Sequence, residues 1–333
     1  MTPRERYFTV LDGGRPDILP RLPILMQFAA EHIGSYYGAF ASDYRVLVEA
    51  NLRCAEEFGI DQLNTMSDPY RETAGFGAPI EFPHDGVPIC LKPPLEDRPD
   101  LTQLPRPDPL QAPRMRDRIE AVRAYRTRAG DHYSIMGWVE GPAAEAADLR
   151  GVANFFMELI ADPAYARALM ARCVETAIEF ARIQIESGAD TIGIGDAVAS
   201  QVSAKIYNAL ILPLEKRLVD ALHTMGARVR LHICGNVTHL LPGMATLGVD
   251  ILDLDHWVDL ARARPVLGSR VVIAGNVDPV ACVMHGPPEA IKTAMRDCYA
   301  AAGAPFMVAA GCEIPAPTPP AHLAALCAPI TPE

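Results

Sequence analysis

The sequence predicts a single (β/α)8 barrel of the TIM class, entered through an irregular N-terminal segment over about residues 1–112. Three observations predict it. From about residue 112, short apolar stretches of strand length alternate with longer helical ones, the order that builds a parallel sheet. Six or more such units follow one another, which favours a closed barrel over an open sheet. The length of 333 residues suits one such domain, so residues 1–333 are read as one unit.

The elements follow in order. Residues 22–26 form a candidate first strand, and residues 44–58 have helical apolar spacing that stops at Gly59. Between Pro79 and Pro113, prolines recur at Pro93, Pro94, Pro99, Pro105, Pro107 and Pro109. Proline lacks the amide a helix needs, so an extended excursion with room for a hairpin is expected there. Beyond it, helices are expected at 115–128, 145–159, 163–187, 204–225, 237–247, 259–264, 288–302 and 322–327. Strands are expected between them at 133–139, 190–195, 228–232, 250–254, 270–274 and 306–310.

Composition removes several function classes. Lys and Arg total 30 against 41 for Asp and Glu, a formal net charge of −11. Such a chain has no general electrostatic pull toward nucleic acid or an anionic membrane. The opening MTPRERYFTVLDGG holds no apolar core of a signal peptide, and no run approaches the ~18 apolar residues of a membrane span. A cytoplasmic location is therefore expected. The eight cysteines read as thiols rather than a disulfide framework. No GxGxxG or GxxxxGK[ST] loop supports a dinucleotide or nucleotide-phosphate site.

The chemistry gathers where the strands end. In a barrel, the C-terminal ends of the strands and the loops after them carry the active site. Five consecutive candidate strands end in Asp196, His232-Ile233-Cys234-Gly235, Asp255-His256, Gly275-Asn276-Val277-Asp278 and Gly311-Cys312-Glu313. Core packing asks for apolar residues at such places, so a shared polar face is expected.

His232 and Cys234 lie two apart and point the same way in an extended segment. Cys312 reaches them from a distant strand. One imidazole and two thiolates suit Zn²⁺, and three protein ligands with an open fourth position mark a catalytic site. Asp255 is a candidate fourth ligand, a helix cap or a partner of the ligand histidine. Asp196 either holds substrate or caps a loop. Glu140 and Asp278 are weaker candidates, Asp278 because it precedes Pro279, a common turn arrangement. His223, His239, His256 and His285 read as ordinary surface or loop histidines, and Met66, Met136 and Met225 as core filler. Gln27, His32, Tyr36, Asp68 and Arg71 are candidates to line the cleft.

These residues sit in segments that resemble a known group. LHICGNVTHLLPGMATLGVDILDLD, then VVIAGNVDPV, then AAGCEIPAPTPPAHLAAL, is similar to the uroporphyrinogen decarboxylase superfamily. RLPILMQFAAEHIG, GIDQLNTMSDPYRETAGFGAPIEF and VEGPAAEAADLRG fit it earlier in the chain. The resemblance implies a (β/α)8 barrel. The decarboxylases carry an RQAGR-like motif near the start and GHG near the end; here RLPILMQFAA and GCE stand instead. HxC with a distant Cys matches the zinc methyltransferase branch, through His232, Cys234 and Cys312. That branch implies transfer of a methyl group between a corrinoid (methylcobalamin) and a small thiol or a methylated substrate. The chain shows no DxHxxG corrinoid-binding pattern, so a separate corrinoid protein is the expected partner. A metal-free tetrapyrrole decarboxylase, and a non-catalytic zinc- or corrinoid-binding module, are the alternatives.

Overall fold

Seven strands make one curled, wholly parallel sheet in a computed structural model that describes residues 1–97 and 100–332. They are β1 (Gln62–Asn64), β4 (Ser134–Glu140), β5 (Thr191–Gly195), β6 (Arg228–His232), β7 (Ile251–Asp253), β8 (Val272–Val277) and β9 (Phe306–Ala310), paired in that order. The short strands β2 (Ile80–Glu81) and β3 (Ile89–Cys90) form a separate antiparallel pair, the hairpin in the proline-rich excursion. Pro99 lies outside the described residues.

The eighth place in the barrel is held by the chain around Arg21. Leu22 N–H donates to Val308 O at 2.7 Å and Val308 N–H to Pro20 O at 2.7 Å, a parallel bridge onto β9. On the other side Asp61 N–H donates to Arg21 O at 2.9 Å, just before β1. The strand expected at 22–26 is thus a single bridge. Pro20 and Pro23 flank it, and neither has an amide to extend the ladder. Asp61, fully buried, accepts from the Arg6 and Arg21 side chains at 2.5 and 3.0 Å and ties this seam together.

The N-terminal segment contributes directly to the sheet, through β1 and the Arg21 bridge. Besides β1 it supplies helices Pro3–Leu11, Gln27–His32, Tyr37–Ser42, Tyr44–Phe58 and Arg71–Gly75. Of these, only Tyr44–Phe58 was expected. Thr2 caps the first helix with a reciprocal Glu5 bond. Its Tyr7 plugs the barrel floor, packing among Val10, Leu22, Ile251, Val272, Ala274, Met307 and Ala309, with its hydroxyl 2.9 Å from Thr191 Oγ1.

Three expected helices are broken, each for a local reason. The 145–159 helix is two, Pro142–Arg150 and Val152–Ala161, hinged at Gly151 with φ 82°. The 204–225 helix is interrupted by a π-turn at Tyr207–Ile211 before Leu212–Thr224. Pro213 has no amide for the Ala209 carbonyl, which instead accepts from Arg167 at 2.9 Å. The 237–247 helix shrinks to Leu241–Met244 because Pro242 permits only a start, not a continuation. Among the described residues no helix is long and apolar enough to cross a membrane.

Candidate metal centre

Strand parity decides what faces the barrel interior. Thr191, Gly193 and Gly195 of β5 face inward, where Trp138 lies against the last two. A Cβ on Gly193 would fall 2.3 Å from the Trp138 ring, so the indole needs glycine there. On β6, Arg230 and His232 face inward, and Cys234 follows two residues on. On β7, Asp253 sits in register with His232.

The three expected donors meet. Cys234 Sγ is 2.9 Å from His232 Nε2 and 3.5 Å from Cys312 Sγ, and Cys312 Sγ is 3.8 Å from His232 Nε2. All three donor atoms lie within 4.8 Å of one another. A tetrahedral zinc with ordinary bond lengths would separate two sulfurs by about 3.8 Å and a nitrogen from a sulfur by about 3.5 Å. The donor set and its spacing therefore fit a zinc ion after shifts of well under 1 Å. The two thiols share one hydrogen bond, which pulls Cys312 down to about 4, with further help from His232. The same bond, with burial, pushes Cys234 up.

Behind the histidine stands a support that the sequence did not single out. Asp253 Oδ2 lies 3.2 Å from His232 Nδ1, leaving Nε2 for the thiols. Asp253 also accepts from Arg230 Nε through both oxygens, at 3.0 and 2.9 Å. Arg230 in turn donates to Gln62 Oε1 at 3.0 Å and Leu22 O at 3.2 Å. Burial alone would raise the Asp253 carboxyl; Arg230 and His232 outweigh it and hold it below the usual range. A carboxylate on the far nitrogen of a metal-binding histidine fixes its tautomer and orientation.

Two expected site residues stand elsewhere. Asp255 is outside the three-donor group: its Oδ2 accepts from Gly235 N–H at 2.7 Å and pins the turn after Cys234. Asp196 points away from the barrel interior, accepting from Ala143 N–H at 3.3 Å and Ala144 N–H at 2.6 Å. It anchors the start of the Pro142–Arg150 helix, and burial raises its carboxyl to about 6.

The donors open into a cavity of about 240 Å³. Ile24, Met26, Met66, Pro69 and Trp138 make its apolar wall, and Asp68, Glu140 and Glu313 supply carboxyl groups. Met66, packed with Ile24, Met136 and Trp138 in a buried apolar cluster as expected, also borders the cavity. Glu140 accepts from Trp138 Nε1 at 3.0 Å and Arg71 Nη2 at 2.5 Å. Glu313, raised to about 7 by burial, accepts from Gln27 N–H at 3.2 Å. Of the five residues named as cleft candidates, Asp68 alone is part of this wall among the described residues; Arg71 is fully buried behind it. His256 Nδ1 lies 2.7 Å from Asp255 Oδ1 and its Nε2 3.5 Å from Asp278 Oδ2. Asn276 shapes the same rim, donating to Asp255 O and Val258 O at 3.0 and 2.7 Å.

The chain is similar to known proteins over nearly its whole length. The family described as uroporphyrinogen decarboxylase (URO-D) matches residues 2–331. The methylcobamide:CoM methyltransferase MtbA of Methanosarcina mazei is 28% identical over 329 residues, 97% of this chain and 95% of that protein. A uroporphyrinogen decarboxylase of Gloeobacter violaceus is 26% identical over 310 residues, 88% of each chain. Among solved structures, a methyltransferase from Methanosarcina mazei shares the fold with a TM-score of 0.90 at 24% identity, over 98% of both chains.

Proposed function

The chain belongs to the uroporphyrinogen decarboxylase family, and from that premise we propose that it is a zinc-dependent methyltransferase. It moves a methyl group between a corrinoid presented by a separate protein and a small thiol or methylated substrate. The observation that carries this reading is the meeting of His232, Cys234 and Cys312 on the floor of a small apolar cavity. The relatives are enzymes of two activities, methyl transfer and decarboxylation. A tetrapyrrole decarboxylase would need arginines for the substrate's carboxylates, and among the described residues the cavity wall has none.

Zinc held there would supply Lewis acidity, favouring the thiolate form of a thiol or the departure of a methylated heteroatom. The protein's own residues do the rest. His232 offers Nε2 because Asp253 occupies Nδ1. Asp255 holds the Gly235 amide, which limits the motion of the Cys234 side chain. Ile24, Met26, Met66 and Trp138 exclude water, which would otherwise solvate and blunt a sulfur nucleophile.

The test is metal content beside turnover. About one zinc per chain is expected in the purified protein and little in His232→Ala and Cys312→Ser. Methyl transfer from methylcobalamin to small thiols, followed by the corrinoid spectrum, is expected only in the zinc-loaded form. A metal-free protein of full activity would end this reading; zinc without turnover toward any thiol or methylated compound would favour a binding module.

A further inference from the structure

We propose that Glu140 moves the proton that must travel with the methyl group. Its Oε2 gives that proton to the substrate's sulfur or oxygen as the methyl leaves, and takes it back in the reverse direction. The inference rests on the methyl-transfer reading and adds a catalytic residue to it.

Register puts Glu140 on the level of His232. Glu140 pairs with Gly195 and Gly195 with His232, so the three share one row across β4, β5 and β6. Two strand spacings, roughly 10 Å, separate the outer two backbones. Gly195 has no side chain to fill the space between them. The Trp138 ring floors that space, 6.5 Å from the His232 ring, and Glu140 Oε2 stands 3.3 Å from where a Gly195 Cβ would be. Glu140 and His232 border the same cavity.

The hydrogen bonds decide which oxygen carries a proton. Trp138 Nε1 and Arg71 Nη2 both donate to Oε1, at 3.0 and 2.5 Å. An oxygen that faces two donors has no place for a proton of its own. Oε2 has no hydrogen-bond partner among the described residues, so an acid proton sits there. Burial pushes this carboxyl well above its usual range; Arg71 pulls it back, while Glu72 and Asp148 push it further up. A carboxyl kept neutral at physiological pH can act as a general acid.

The surroundings suit either charge state. Fully buried Arg71 holds an ionised Glu140 through Nη2. Its Nε and Nη1 make no hydrogen bond, nor does Glu72 Oε2, which stands 3.6 Å from Nε. Glu72 is thus in place as counter-charge when Glu140 is protonated. The other two carboxyl groups of the wall lack this arrangement. Both oxygens of Asp68 are occupied, Oδ2 by Ser67 Oγ at 2.6 Å and Arg114 at 2.5 Å, Oδ1 by the Tyr70 N–H at 3.0 Å. Glu313 has no cation paired with it among the described residues.

In the forward direction the carbon–heteroatom bond breaks with its electron pair on the heteroatom, which takes the Oε2 proton. The methyl carbon bonds to the cobalt(I) of the corrinoid, whose electron pair makes the new bond and which becomes cobalt(III). Glu140 is left as a carboxylate paired with Arg71. A methyl group on a sulfonium needs no such proton, because its leaving group departs neutral.

That difference supplies the test. Demethylation of dimethyl sulfide and of trimethylsulfonium is followed with cob(I)alamin as the acceptor, in zinc-loaded native protein, Glu140→Gln and Glu140→Asp. Zinc content and urea unfolding of each variant are measured alongside. Glutamine has the shape of the protonated acid and keeps an acceptor for Trp138 and Arg71. In Glu140→Gln, kcat for the sulfide is expected to fall about 100-fold or more, and kcat for the sulfonium by no more than about threefold. Glu140→Asp, with its acid on a shorter arm, is expected to recover part of the sulfide rate. Independently of turnover, the infrared spectrum of the native protein at neutral pH should hold a carboxylic-acid carbonyl band that Glu140→Gln lacks. Equal losses on the two substrates, as a merely structural role would give, overturn the inference. So do no loss on either, no recovery in Glu140→Asp, no acid band, or a selective loss in Glu313→Gln instead. A zinc-loaded native protein inert toward both substrates brings down the methyl-transfer reading itself.

Discussion

Replacing Asp253 with asparagine tests the support behind the histidine. The side chain keeps its shape and loses its charge. In the native arrangement one carboxylate serves both His232 Nδ1, at 3.2 Å, and Arg230 Nε, at 3.0 and 2.9 Å. An asparagine amide has one acceptor oxygen for those two donors, so one of them faces an NH₂ group. If the oxygen stays on Arg230, the histidine ring loses the partner that fixes its tautomer. Loss of such a partner costs roughly 10–100-fold in metal affinity, about 1.4–2.7 kcal/mol. If the oxygen turns to His232, Arg230 is left buried with only Gln62 and Leu22 O. Stripping one partner from a buried ion pair costs about 3–5 kcal/mol of stability. The low end is expected here because those two acceptors remain. Zinc affinity is read by competition with a chromophoric chelator, and stability by urea unfolding of the metal-free protein. Zinc affinity within twofold of the native value together with unchanged stability would refute the assignment of Asp253 to this double role.

Other substitutions probe the surroundings. Asp196→Asn keeps one acceptor for the Ala143 and Ala144 amides and is expected to cost about 1–2 kcal/mol by urea unfolding, with zinc stoichiometry unchanged. Loss of zinc in that variant would contradict a role for Asp196 confined to the start of that helix. Asp148, raised to about 8 chiefly by burial and then by Glu72 against the pull of Arg71, holds its proton longer in the folded state than in the unfolded one. Its contribution to stability therefore falls as pH climbs from about 4 to about 8 and is level above. Asp148→Asn should flatten that part of the stability–pH curve; an unchanged slope would count against the raised carboxyl. Gly193→Ala drives a methyl into the Trp138 ring and should cost about 1–3 kcal/mol, with a shift in tryptophan fluorescence as the indole moves.

The residues that local geometry brings together were legible from the sequence. His232 and Cys234 sit two apart at a strand end, and the alternation of strands and helices put Cys312 on the same face. The same alternation also held information that went unread. In DTIGIGD, Asp196 shares a face with Ile192 and Ile194, which pack outward into the main core, while Gly193 and Gly195 turn to Trp138. Parity alone therefore directs Asp196 to the helices. In ILDLD, parity puts Asp253 and Asp255 on one side, but only the register with β6 sets Asp253 beside His232 and leaves Asp255 for the Gly235 amide. Register is a long-range property, and no local pattern carries it. The closure at Arg21 was hidden for a related reason. A strand hemmed by Pro20 and Pro23 pairs through one bridge, too little to leave a periodic signature.

The central claim is that His232, Cys234 and Cys312 hold zinc, and X-ray absorption at the zinc edge of the purified protein tests it most directly. Two sulfur scatterers at ~2.3 Å with nitrogen or oxygen at ~2.0–2.1 Å are expected. One of the two sulfurs should vanish in Cys312→Ser. A zinc shell of nitrogen and oxygen alone, or a spectrum indifferent to that substitution, would contradict the claim.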